Sequence, residues 1–143
     1  MNYQRIVLAA LGSTVVYFVL GGLLFAATPL AGEFKKFPAI YRTPESMKAV
    51  IPFGIFGMLL SMAALSVLYA LVYRGGRGVA EGARFGMLVG AFAIGSFVLH
   101  NYVNLNIGLK LTAEQAVAYF IQWTVVGIVI GLIYKAPAFR STS

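Results

Sequence analysis

Four stretches of about twenty apolar residues follow one another with short polar connections between them, and this spacing constrains the fold more than any other feature. They are Ile6 to Ala27, a run within Ala49 to Tyr73, Val79 to Leu99 and Ala116 to Tyr134. A bilayer core about 30 Å thick is crossed by about 20 helical residues. Asp is absent from the chain, and the interiors of the four windows hold no Lys. The chain is 60% hydrophobic and only 10% charged, against about 25% charged residues in soluble domains. In water a surface this apolar would expose aggregating patches. The expectation is one all-α domain over residues 1–143, an integral membrane four-transmembrane-helix bundle. Spans fall at about 6–27, 49–73, 79–99 and 116–134, with an interfacial connection over 29–48.

The first window reads as a retained anchor. Its 22 apolar residues exceed the roughly 7–15 of a signal-peptide core, and Thr28-Pro29 suits a helix stop. Within the first connection, Phe34, Lys35, Lys36, Phe37 and Tyr41 alternate aromatic and cationic side chains, which suits a membrane interface. Thr43-Pro44-Glu45 reads as a helix start, with Thr as N-cap and Pro at the first helical position. A helix begun there would enter the membrane near Pro52 and kink, because Pro lacks a backbone donor. Arg74-Gly-Gly-Arg-Gly78 reads as a tight hairpin. Thr112-Ala-Glu-Gln115 fits a capping box that would open the fourth helix.

Four spans place both termini on one side. Arg5, Arg74, Arg77, Arg84, Lys135 and Arg140 fall on that side, against Lys35, Lys36, Arg42, Lys48 and Lys110 on the other. The first set lies in short segments near helix ends, where the positive-inside rule acts best, so both termini are expected in the cytoplasm. The net charge of +7 fits attraction to anionic lipid headgroups. Nucleic acid is not expected, since the cations sit between apolar runs rather than on one basic face.

The missing residues exclude much chemistry. With no Cys there is no disulfide, thiolate metal site or thiol redox chemistry. A Ser-His-Asp triad has no Asp. The four Glu read as scattered through loops and helix starts, so paired carboxylates near a span are not expected. One His and no Cys leave no protein-only transition-metal site. Proton-coupled transporters keep an acidic residue inside a span, and none is read here; nor are inverted repeats visible.

Four groups remain as candidates. Gly82, Gly86 and Gly90 form a ladder on the third helix, and Gly127 and Gly131 repeat the spacing on the fourth. Small faces of this kind let membrane helices approach closely, either within one bundle or between two copies. His100, Asn101 and Asn104 form the densest polar cluster beside a span. They can satisfy the orphan carbonyls of a helix end, or hold a polar head group or a quinone oxygen. His100 can also serve as an axial ligand to a tetrapyrrole metal. Gln122, beside Trp123, is the one strongly polar amide within a span, and such groups face protein or a cavity. Glu81 stands at helical spacing from Arg77 and Arg84, which suggests a local ion-pair cluster.

Several of these motifs occur together: Tyr41-Arg42, Glu81-Gly82-x-Arg84-Phe85-Gly86, Asn101-Tyr102-Val103-x-Leu105-Asn106, Gln122-Trp123 and Gly127-x-x-x-Gly131. In them the chain resembles an uncharacterised family of small four-helix bacterial inner-membrane proteins. The resemblance implies that fold and that location, and it carries no activity. The leading expectation is a non-enzymatic scaffold or accessory subunit that packs against itself or a larger membrane complex. The alternative is a binding protein or carrier for a quinone, lipid or tetrapyrrole, with His100, Asn101, Asn104, Gln122 and Trp123 as its residues. No cofactor is required by the sequence.

Overall fold

The structure, a computed structural model, describes residues 1–135. The polar tail expected after Tyr134, with Arg140, lies outside the described residues except for Lys135. Among the described residues the chain is all helix, with no strand. Four helices are long and apolar enough to cross a membrane: α1 (Tyr3–Ala26), α4 (Ile51–Val72), α5 (Gly78–Asn104) and α6 (Leu109–Tyr134). Two short helices, α2 (Leu30–Phe34) and α3 (Pro44–Lys48), lie in the connection between α1 and α4.

The ends of these helices follow from their residues. Asn2 accepts from the Arg5 amide at 3.1 Å and opens α1. Thr43 accepts from the Ser46 amide at 3.3 Å and opens α3, with Pro44 at the first helical position. The expected continuous helix with a kink at Pro52 is not formed. The chain breaks at Ala49–Val50, and α4 starts afresh with Pro52 in its first turn. A proline is tolerated there because first-turn amides have no helical acceptor. The expected capping box at Thr112 is not formed either: α6 begins at Leu109, and the Thr112 hydroxyl donates back to the Gly108 carbonyl at 3.1 Å.

In the α4–α5 connection Gly75 takes φ +84°, a backbone that glycine reaches without strain. The Glu81 carboxylate accepts from the Gly76 amide at 2.9 Å and the Arg74 amide at 3.4 Å, and the Tyr73 hydroxyl donates to the Gly76 carbonyl. Glu81 therefore ties the turn to α5 through backbone. The ion pairs expected with Arg77 and Arg84 are not among those of the described residues.

The helices pack in a definite order. α1 lies between α4 and α6, and α6 carries α5 on its other flank. Along the α5–α6 contact the register is antiparallel: Gly78 faces Gly131, Gly82 faces Gly127, Gly86 faces Trp123–Thr124 and Gly90 faces Phe120. A Cβ on Gly86 would stand 2.8 Å from the Thr124 Cα, so the two backbones touch. The ladder's small face is thus filled by this chain's own α6. The neighbouring small positions Ala91 and Gly95 are exposed, with open space around Gly95.

Two clusters form the interior. One joins Ile6, Ala9, Met62, Tyr69, Val126 and Ile130 from α1, α4 and α6. It closes at the terminal side of the bundle in an aromatic group. There Tyr69 packs edge-on against Phe85 and Tyr134, at 5.3 and 5.9 Å between centroids, and Tyr73 packs on Tyr134 at 5.6 Å. The second lies at the opposite end, where Leu30, Ile107, Leu111 and Ala118 meet Phe25, Phe34 and Phe37. At this end α4 leaves the bundle: residues 51–57 are all exposed, and the first fully buried residue of α4 is Met62.

Candidate functional site

The interior of the bundle is polar at its middle. Gln122 on α6 is buried and donates from Nε2 to the Tyr17 carbonyl of α1 at 2.8 Å. The amide fits because Gly21 has no side chain, since a Cβ there would stand 2.8 Å from Gln122 Nε2. Trp123 stacks obliquely on Tyr17 at 5.3 Å. Four buried polar atoms of the bundle have no partner among the described residues: Gln122 Oε1 and Trp123 Nε1 on α6, and the hydroxyls of Ser66 and, toward the terminal side, Tyr69 on α4. A polar atom shut away from water and left unpaired costs stability, so the interior of the bundle keeps unused hydrogen-bonding capacity.

Both π-helical segments lie near the next aromatic layer. α1 ends in a π-helical turn, Gly22–Ala26, and α5 contains another, Ile94–Leu99. Phe25 and Phe97, one from each, pack on Tyr119 of α6 at 4.9 and 5.8 Å. Widened turns of this kind re-aim side chains and recur at functional positions.

At the end where α4 departs, the carboxylates are not scattered. Glu33 on α2 is 8% exposed and accepts from Lys36 at 2.7 Å and from Lys110 at 2.5 Å. Glu114, one turn along α6, lies 3.7 Å from the same Lys110 ammonium. Two carboxylates thus flank one cation beside the apolar length of α6. The ammonium groups of Lys110 and Lys36 hold the Glu33 carboxyl below its ordinary value. Glu114 sits inside α6, not in a loop or at a helix start, and its Oε2 is buried without a partner. It lines a groove of about 420 Å³ between the end of α1 and α6, walled by Leu24, Leu30, Val117, Ala118 and Ile121.

The residues singled out in the sequence do not converge on one place. Gln122 and Trp123 are interior, the amide bridging α1 and α6. His100 and Asn104 are exposed and Asn101 is half-buried. The Asn104 side chain donates to the His100 carbonyl at 2.8 Å, so it serves its own helix end. None of the three lines the groove. Among the described residues no group of three His, Asp or Glu could hold a metal ion. The Glu33–Lys110 pair was missed because 77 positions separate its members. The one signal in the sequence is that three of the four Glu, Glu33, Glu45 and Glu114, fall in or beside the two connections at that end. No protein family, curated protein or solved structure was found to match this chain.

Proposed function

We propose that the chain is a non-enzymatic subunit of a bacterial inner membrane, with both termini cytoplasmic, that acts as a small scaffold by packing against itself or a larger membrane complex. The supporting observation is the free half of α4. Helices in lipid associate through close packing of small faces, and α5 spends its glycine ladder on α6. α4 carries a second small face, Gly54 and Gly57, which has open space around it and, among the described residues, no helix against it. Ser61, one turn further, is exposed on the same side, and its hydroxyl is satisfied by the Gly57 carbonyl at 2.9 Å. A helix that leaves its own bundle where two glycines stand exposed has room there for another helix.

The test uses the absence of native Cys. Single Cys variants at Gly57 on α4 and Val103 on α5 are crosslinked in native membranes. The reading expects a discrete adduct, to a second copy or a larger subunit, at Gly57 and little at Val103. A chain that runs as a lone monomer in mild detergent, with no adduct at Gly57, refutes it.

A further inference from the structure

We infer that the groove between α1 and α6 binds the upper part of one phospholipid whose head group carries a primary ammonium. This goes beyond the scaffold reading and does not depend on it. The groove's walls are apolar, from Leu24, Leu30, Val117, Ala118 and Ile121, and its volume is about 420 Å³, within the range of small-molecule sites of roughly 300–1,000 Å³. A whole phospholipid is larger, so the remainder of the acyl chains lies in the surrounding bilayer. The groove has two polar residues on its lining. Thr28 is spent locally, its hydroxyl donating to the Leu24 carbonyl at 2.5 Å and accepting from the Leu30 amide at 3.3 Å. Glu114 is not: its Oε2 is buried and unpartnered.

A carboxylate oxygen only accepts, so the occupant must donate. That criterion separates lipophilic ligands by chemistry. A quinone offers only acceptors. A choline head has charge but no N–H. A primary ammonium has both, and its hydrogen bond to a carboxylate is charge-assisted. The charges at the groove's mouth decide the remainder of the head group. Lys36 pairs with Glu33, and Lys110 with both Glu33 and Glu114, so the two cations of this ion-pair cluster are matched by two carboxylates and leave no surplus positive charge for an anionic head. A zwitterion fits: its ammonium meets Glu114, and its phosphate meets Lys110, whose side chain is 66% exposed and faces both carboxylates.

The experiment is native mass spectrometry of the full chain released from nanodiscs containing equal amounts of ethanolamine, choline and glycerol phospholipids with identical acyl chains. The expected result is a retained single adduct of the ethanolamine lipid. Glu114→Gln keeps an acceptor but loses the charge and is expected to weaken that adduct about tenfold or more, the loss of a charge-assisted hydrogen bond. Val117→Trp fills the groove from an exposed position and is expected to remove the adduct at an unchanged unfolding midpoint. Equal retention of the ethanolamine and choline lipids, or preference for the glycerol lipid, overturns the inference. So does an adduct that survives Val117→Trp, which decides the matter even if Glu114→Gln does not fold.

Discussion

Replacing Gly86 with Ala places a methyl carbon where the opposite helix already stands. The new Cβ lies 2.8 Å from both Thr124 Cα and Thr124 O, whereas carbon contacts settle at about 3.5–4.0 Å. The neighbours are backbone, so no side chain can rotate away, and α5 and α6 must part by roughly 1 Å. A gap of that size forfeits about a quarter to a half of each dispersion well on the shared face, including those at Gly82 and Gly90. The cost expected for such overpacking is about 1–3 kcal/mol, roughly a 5- to 150-fold fall in the folded-to-unfolded ratio. The assay is SDS titration in mixed micelles, read by fluorescence of Trp123, the single tryptophan. Its carbonyl lies against Gly86, so the reporter sits on the perturbed contact. Gly95→Ala is the control, because nothing lies within 4 Å of that position. Equal midpoints for the two variants would refute the close approach of α5 to α6.

Gln122→Leu should cost about 1 kcal/mol or less, because the amide gives one interhelical bond and keeps an unpaired oxygen. Gly21→Ala displaces the same amide, so the two changes should be sub-additive in a double-mutant cycle, and full additivity would argue against the contact. Tyr69→Phe should be neutral or slightly stabilising, since it removes a buried hydroxyl without a partner. Tyr69→Ala should cost about 3–5 kcal/mol by opening a cavity among Phe85, Tyr73 and Tyr134; similar unfolding midpoints for the two would contradict the packing. The Glu33 carboxyl is held below its ordinary value of 4.5. Its contribution is therefore complete above that value and is lost as pH falls through it toward the lowered one. Unfolding midpoints measured from about pH 7 to about pH 3 should fall more for the native chain than for Glu33→Gln, and parallel curves would show that the pair contributes nothing.

Long-range geometry divides what the sequence announces from what it conceals. The four apolar helices are legible because hydrocarbon thickness sets their length, and the Thr43 cap is legible because its partner is three residues away. The glycine spacing announces a close-packed face, but its partner is settled only by the register of α5 on α6. Pro52 misleads because proline's effect depends on position: mid-helix it kinks, and in a first turn it costs nothing. Thr112 misleads because a hydroxyl can cap a helix or bond back within it. Glu33, Lys110 and Glu114 are invisible as a set, since α2 must fold back onto the start of α6 to join them. The π-helical turns at Gly22 and Ile94 have no proline to signal them, and we have no account of them from the residues alone.

The central place of α6 has a consequence for the order in which contacts can form. α1 and α5 find their principal partner in it, while α4 rests mainly on α1. α1 and α4 can therefore pair before α6 is made, whereas α5 has no principal packing surface until α6 is present. Until then the glycine face of α5 and the carbonyl of Tyr17 lack the partners that α6 supplies. The most extensive helix contact of the fold, α5 on α6, is thus the last one that chain order allows to form.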